Sequence, residues 1–447
     1  MQKVVRAADG ARVVHVVTDD ETAAACPACG VLSASVKQRR TTAPRDLPYG
    51  EESLMVRWHK VQYTCAESDC ARKAFTEQID EVPAGARVTG RLRRHVADRI
   101  GDGLPVSVAG EGLLGWPAAH EAFVAAVTAQ LPDPEPVQVL GIDETRRGKP
   151  RWTRDAESEG WVKLETFETN FVDLAGTQGL LGQASGRTKA NVVAWLDERG
   201  QAWKDAVEVV AMDPCATYRA AVAEALPHAL IVADHFHLVR LANQAVTDVR
   251  RRVTWTTHGR RGRATDPEWA QRRRLLRGYE RLRPGQFARM WNELTDADPS
   301  GKILTAWIAK EELRRLLACA RTGGHRNEIS TRLHRFNTWC ADSKLPELER
   351  LAGTIEAWWP EVLGFLTTGI TNAGTEATNR TVKTAARTAY GFRNLDNQRR
   401  RVRFACTRRN RRVTVSRVPQ LTRDLVTGAG VCPGGDRGKS ARRGNAW

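Results

Sequence analysis

Seven residues in this sequence pair reactive chemistry with telling placement. Four are cysteines in two pairs, Cys26-Pro-Ala-Cys29-Gly and Cys65-Ala-Glu-Ser-Asp-Cys70. A short pair followed by glycine lets two thiolates reach one ion while backbone N–H groups offset their charge. Two such pairs suit a tetrahedral four-thiolate zinc site, although the second gap is wider than the commonest spacing. The other three are carboxylates: Asp143 and Asp213 each end an apolar run, and Glu376 lies in a helical stretch far downstream. Cutting or joining phosphodiesters needs charge neutralisation at the scissile phosphate and an in-line nucleophile, which two divalent ions about 3.5–4 Å apart can supply. Mg²⁺ prefers carboxylate oxygen and retained water, so two or three convergent carboxylates are required. Asp143, Asp213 and Glu376 would provide them, in the carboxylate plan of an RNase H-like core.

Bringing these groups together requires strands and helices, and the sequence predicts both. Residues 1–80 read as short strands and turns around the cysteines, with the alternating run Leu54–Tyr63 leading into Cys65 as in a zinc ribbon. Residues 81–132 read as three short helices. Val88, Leu92, Val96 and Ile100 recur at helical spacing, Gly101-Asp102-Gly103 breaks the pattern, Val106–Leu114 follows, and Gly115-Trp116-Pro117 opens a helix through Leu131. That layout fits a helix-turn-helix. Pro132-Asp133-Pro134-Glu135-Pro136 predicts a linker.

Over residues 133–240 the pattern becomes strands and helices. Val137–Glu144, Val207–Pro214 and Ala229–Asp234 are apolar strands, and each delivers an aspartate (143, 213 or 234) at its carboxyl edge, where open α/β sheets place their chemistry. Gly160–Phe167 and Asn170–Leu174 read as two further strands joined by a turn. Residues 241–365 lose the strand signal and hold seven of the fourteen tryptophans, predicting an all-helical insertion whose indoles are chiefly core. Residues 366–412 return with a helix on which Glu376, Asn379, Lys383 and Arg387 share one face at i, i+3, i+7 and i+11. Residues 413–447 read as a basic, disordered tail.

Lys and Arg number 69 against 52 Asp and Glu, a formal surplus of 17 positive charges, and Arg399 to Trp447 carries most of it. A surplus of this sign attracts a polyanion, and nucleic acid is the abundant one. With 41% apolar and 27% charged residues the chain is not disordered as a whole. No run approaches the roughly 18 uncharged apolar residues of a membrane span, and Met1–Asp20 lacks the apolar core of a signal peptide. The expectation is a soluble, cytoplasmic protein. Nine cysteines, an odd number, argue against a disulfide framework. Cys215, Cys319, Cys340, Cys406 and Cys432 show no ligand spacing and read as core or incidental.

The order of motifs resembles the ISL3 family of bacterial insertion-sequence transposases. The likeness rests on Arg45-Asp46-Leu47-Pro48, Cys65 to Cys70 with Phe75-Thr76-Glu77, Gly141-Ile142-Asp143-Glu144, and Ala211-Met212-Asp213. It continues through Tyr218-Arg219-Ala220-Ala221-Val222, Ala233-Asp234-His235-Phe236-His237, Asn372 with Glu376, Asn379 and Lys383, and Tyr390-Gly391-Phe392-Arg393-Asn394. It covers roughly residues 25–412. The resemblance implies a multidomain α+β fold: zinc ribbon, helix-turn-helix, and an RNase H-like α/β catalytic core interrupted by the helical insertion. It implies a DDE site in which Asp143, Asp213 and Glu376 bind two Mg²⁺ or Mn²⁺ ions, with Asp234 and His237 auxiliary and His235 structural. One Zn²⁺ would sit on Cys26, Cys29, Cys65 and Cys70, while Asn379, Lys383, Arg387 and Arg393 would hold DNA. The implied partners are double-stranded DNA, as terminal inverted repeats and as target, and further copies of the chain in a dimer or larger assembly. The implied location is the cytoplasm, on the nucleoid when DNA-bound. Two other readings of the same fold are an inactive or domesticated DNA-binding protein and a nuclease without strand transfer. Thr145–Trp161, polar and Arg-rich, is less regular than the family pattern.

Overall fold

The computed structural model describes residues 3–413 except 9, 11, 49–53, 156 and 393, and only the backbone of 408–413. Arg393, Cys432 and the tail 414–447 therefore lie outside the described residues. The amino-terminal sheet comprises β1 (Lys3–Arg6), β2 (Arg12–Val16), β3 (Val36–Thr42), β4 (Leu54–Thr64) and β5 (Ala74–Thr76). β4 is the alternating run seen in the sequence, and it pairs with β2, β3 and β5. Three helices follow: α1 (Gly90–Gly101), α2 (Val106–Gly110) and α3 (Trp116–Gln130). They close on Leu92, Val96, Ile100, Ala119, Phe123 and Val127. Thr89 caps α1 by accepting from the Leu92 N–H, and its own hydroxyl donates to Asp46, tying the helices to the sheet before them.

The second sheet positions the carboxylates. Its strands are β6 (Val139–Arg146), β9 (Phe167–Asp173), β10 (Leu180–Ser185), β11 (Val209–Met212) and β12 (Leu230–Ala233), in the order β10-β9-β6-β11-β12. β6, β9 and β10 are antiparallel neighbours, whereas β6, β11 and β12 run parallel. A separate hairpin, β7 (Trp152–Arg154) with β8 (Trp161–Lys163), projects between β6 and β9. The expected strands at 160–167 and 170–174 are corrected here: Leu164–Thr166 separates the hairpin from the sheet, and β9 starts earlier. β10 has no counterpart among the expected strands. It is bounded by Gly179 and Gly186, both at positive φ, and Gly182 within it packs against the Trp195 ring, so little apolar alternation marks it.

One face of the sheet carries α4 (Lys189–Asp197), α5 (Gln201–Asp205) and α6 (Ala216–Ala225). There Phe171 stacks on Trp195 at 3.8 Å, among Ile142, Leu196, Met212 and Tyr218. The same core runs without a break into α7 (His235–His258), α9 (Arg272–Leu275), α10 (Pro284–Ala297), α11 (Lys302–Ala318), α12 (Arg326–Asp342), α13 (Pro346–Ala357) and α14 (Trp359–Thr368), while the short α8 (Pro267–Ala270) lies against α9 and α10. Trp307 and Trp358 are buried in it, while Trp255 is exposed. α14 covers the β12 edge, where Gly364 lies so close that a Cβ would stand 2.9 Å from the Ile231 carbonyl oxygen. No helix among the described residues is long and apolar enough to cross a membrane.

The opposite face carries α15 (Ala373–Thr388) and α16 (Leu395–Val413), packed on Val172 and Leu180 through Val382, Val402 and Cys406. α16 also reaches the three-helix unit, where Phe404 meets Phe123 edge-on at 5.6 Å. α15 can approach β6 only because residue 141 is glycine: a Cβ there would collide with Thr375 Oγ1 and touch Leu174. Gly141→Ala is therefore expected to destabilise the chain by about 1–3 kcal/mol in urea unfolding. Thr375→Ala in the same chain should recover most of the loss, and wild-type stability in the single variant would contradict this packing.

Candidate metal centres

The parallel ladder sets the first site by register. Met212 pairs with Ile142 on one side and Ala233 on the other, so the next residues, Asp143, Asp213 and Asp234, stand level on three adjacent strands. The row extends across the antiparallel half, because Asp143 pairs with Asn170 and Asn170 with Gln183. Ligand atoms of Asp213, Asp234 and His237 lie within 4.8 Å of one another. His237, in the first turn of α7, contacts Asp213 Oδ2 through Nε2 at 2.8 Å and Asp234 Oδ2 through Nδ1 at 3.4 Å.

Asp143 is fixed from α15. Asn379 Nδ2 donates to Asp143 Oδ2 at 2.6 Å, Asn170 Nδ2 donates to Asn379 Oδ1 at 2.7 Å, and Gln183 Nε2 donates to Asn170 Oδ1 at 2.6 Å. The Glu144 N–H donates to the other Asp143 oxygen at 2.7 Å. Asn379 thus departs from its expected place among DNA contacts. It is buried, at 3% exposure, and both ends of its amide are used to hold Asp143. Lys383 and Arg387, further along α15, are exposed. Glu376 is exposed one turn before Asn379 and pairs with Arg380 at 3.0 Å. The structure converges Asp213, Asp234 and His237, sets Asp143 level with them on the neighbouring strand, and leaves Glu376 on the adjoining helix, its carboxylate turned to Arg380.

Electrostatics at this edge record crowded negative charge. Burial first, then Asp213, push Asp143 up to about 7. Burial opposes the charge on His237, yet hydrogen bonds to Asp213 and Asp234 raise it to about 9, so it is an imidazolium at neutral pH. Burial alone would raise Asp234, but bonds to His235 and His237 outweigh it and hold that carboxyl well below the usual range. The carboxylates of Asp143, Asp213 and Asp234 form an oxygen-rich donor set whose chemistry fits a divalent ion. Asn170, Gln183 and Asn372, which donates to the Ile142 carbonyl at 3.3 Å, were not among the expected site residues. For Asn170 a signal existed: a run of Glu-Thr-Asn inside an otherwise apolar strand.

The second site is the cysteine cluster. Cys26, Cys29, Cys65 and Cys70 place their sulfurs within 4.8 Å of one another, with Cys26 to Cys70 at 3.9 Å and Cys29 to Cys65 at 3.6 Å. A tetrahedron with metal–sulfur bonds of about 2.3 Å has edges of about 3.8 Å. The arrangement therefore fits one zinc ion. Gly30, at φ +74°, completes the turn that folds Cys29 back on Cys26. Burial opposes the Cys26 thiolate, but N–H groups of Ala28 and Cys29 bring the thiol down to about 7. The Glu67 N–H favours the Cys65 thiolate, yet desolvation and the neighbouring sulfurs push that thiol up to about 12. Elsewhere, Cys319, Cys340 and Cys406 are buried and Cys215 is half-buried.

Comparison with known proteins gives concordant matches. A transposase family named for ISL3 elements matches residues 140–402, the span holding the carboxylate row and Glu376. A zinc finger of the transposases of IS204, IS1001, IS1096 and IS1165 matches residues 22–70, the span of the four cysteines. The transposase for insertion sequence element IS1001 of Bordetella parapertussis is 24% identical over 377 residues, covering 83% of this chain and 86% of its own. The transposase for IS1557 of Mycobacterium tuberculosis is 28% identical over 228 residues, covering 48% of this chain and 51% of its own.

Two measurements follow from this geometry. Asp143 keeps its proton in the folded, metal-free chain up to about pH 7, whereas an unfolded aspartate releases it near about 3.9. Between those values the unfolded state binds fewer protons, so this group lowers stability as pH rises from about 4 to about 7. Asp143→Asn should flatten that part of the pH–stability curve in EDTA, and an unchanged slope would contradict the assignment. Cys70→Ser should lower bound zinc, measured by elemental analysis, from about one ion per chain to well under half. Full zinc retention would contradict a four-thiolate site.

Proposed function

The chain belongs to the ISL3 family of insertion-sequence transposases, and from that premise we propose that it cuts and joins DNA at the ends of its element. The reaction is divalent-metal-dependent strand cleavage followed by transfer of the freed 3′-hydroxyl to target DNA. The observation that carries the reading is the row of Asp143, Asp213 and Asp234, level on three parallel strands at their carboxyl edge. A five-stranded sheet in which β10, β9 and β6 pair antiparallel and β6, β11 and β12 pair parallel, flanked by helices on both faces, supports an RNase H-like core.

Mg²⁺ or Mn²⁺, when bound, would activate the attacking oxygen and offset charge on the scissile phosphate. Asp143 and Asp213 are the principal holders in this reading. Glu376 completes the set from α15, since its ion pair with Arg380 is exposed and weakly held. Asn379, through Asn170 and Gln183, keeps one Asp143 oxygen aimed at the site. His237 holds a proton between Asp213 and Asp234, limiting their repulsion while the site is empty of substrate.

The zinc-bearing amino-terminal unit and the three helices after it, read as a helix-turn-helix, would recognise the terminal inverted repeats. α3 contains no Lys or Arg, so phosphate contacts there would come from α1, whose Arg93 is exposed. Lys383 and Arg387 would grip the backbone nearer the chemistry. Pairing two element ends calls for a homodimer or larger assembly on DNA.

Purified protein incubated with a plasmid carrying its element's ends should nick or break them at the boundary with Mg²⁺ but not Ca²⁺. Asp213→Asn should slow cleavage at least about a thousandfold, a loss of several kcal/mol of metal-assisted charge stabilisation. Tight binding to the ends without cleavage by either protein would contradict the enzyme and favour an inactive DNA-binding protein.

A further inference from the structure

The hairpin between β6 and β9 serves no folding purpose that its burial reveals. The chain leaves the sheet after Arg146, three residues past Asp143, and rejoins it at Phe167. In between, Trp152 pairs with Lys163, Thr153 with Val162 and Arg154 with Trp161. Alternation along a strand then puts Trp152, Arg154, Trp161 and Lys163 together on one face, and Thr153 and Val162 on the other. All six are exposed, Trp152 at 59% and Trp161 at 70%.

Two indoles left in water on one small surface mark an interaction site, because their burial is among the largest apolar gains a side chain offers. A two-stranded ribbon of this length is marginal on its own, and its two tryptophans add nothing to the buried core of the sheet it leaves. Charge selects the partner. Between Arg146 and Lys163 the segment carries Arg146, Arg147, Lys149, Arg151, Arg154 and Lys163. Its acids, Asp155, Glu157 and Glu159, are confined to the hairpin tip. Arg154 Nε donates to the Glu159 backbone carbonyl at 3.1 Å, and its other end faces the Glu159 carboxylate at 3.9 Å in an exposed pair, which a phosphate can displace. A surface of alternating indole and cation fits a ligand with flat apolar faces strung on a polyanion. Paired DNA hides its base faces, whereas unpaired nucleotides present them.

We propose that the β7–β8 hairpin binds unpaired nucleotides at a DNA end, stacking bases on Trp152 and Trp161 with Arg154 and Lys163 on the flanking phosphates. The proposal rests on the transposase reading, which supplies a DNA end at the sheet edge where the hairpin is rooted.

The test uses full-length, zinc-loaded protein and two duplexes of one sequence, one blunt and one with a three-nucleotide single-stranded overhang containing 2-aminopurine. Wild-type protein is expected to quench the 2-aminopurine and to bind the overhang substrate about tenfold more tightly than the blunt one. Trp152→Ala/Trp161→Ala should abolish the quenching and that preference while changing blunt-duplex affinity less than about twofold and leaving the melting temperature unaltered. Trp152→Phe/Trp161→Phe should restore most of both, since a phenyl ring still stacks. Retained preference and quenching in the alanine variant would overturn the proposal and leave the transposase reading standing. An equal loss on both duplexes would overturn it as well, as would a shift from dimer to monomer in the alanine variant with DNA binding intact, which would make the face a contact between copies. Wild-type protein that bound neither duplex would overturn the hairpin's role together with the function on which it rests.

Discussion

Carboxylates held level on neighbouring strands repel one another, and much of this structure answers that repulsion. The parallel register of β6, β11 and β12 leaves no other place for Asp143, Asp213 and Asp234. Each copes differently. Asp143 keeps a proton near neutrality, and Asp234 is stabilised in its ionised form by two histidines. Asp213 leans on the imidazolium of His237. A helix begins immediately after Asp234, and its amino-terminal N–H groups favour anions at that point. The arrangement costs stability in the empty protein, as sites poised to hold cations generally do.

Aim matters as much as charge. Asp143 is held by a chain of amides spanning two strands and one helix, with Asn379 as the link between sheet and α15. That link depends on the close approach permitted at Gly141. α16 continues the same logic outward. It contributes Val402 and Cys406 to the sheet's lower core and Phe404 to the three-helix unit. Glu168, buried in β9, anchors it through Arg399 at 2.8 Å. The part proposed to read DNA ends is thereby packed onto the part proposed to cut them, through one helix.

What could be read from the sequence was whatever local pattern encodes. Apolar runs ending in Asp143, Asp213 and Asp234 announce buried strands and their polar ends, and paired cysteines announce a shared ion. Long-range pairing is another matter. Asn379 lies 209 residues from Asn170, its partner. Helical spacing placed Asn379 on a face with Lys383 and Arg387, but spacing cannot say which end of that face is covered by a sheet. β10 carries little apolar signal because Gly179, Gly182 and Gly186 dilute it, and β7 little because it is exposed throughout, whereas β8 lies within the strand expected at 160–167. Glu376 was legible as an acid on a helix, and Arg380, four residues on, stands at the i, i+4 spacing from which their ion pair follows.

The central claim is that the aspartate row holds divalent cations, and its most direct test is a count of bound Mn²⁺ by electron paramagnetic resonance titration. Wild-type protein is predicted to take up about two Mn²⁺ ions per chain. Asp213→Asn should lose that binding while its zinc content stays unchanged. Undiminished Mn²⁺ uptake in both Asp143→Asn and Asp213→Asn would contradict the account.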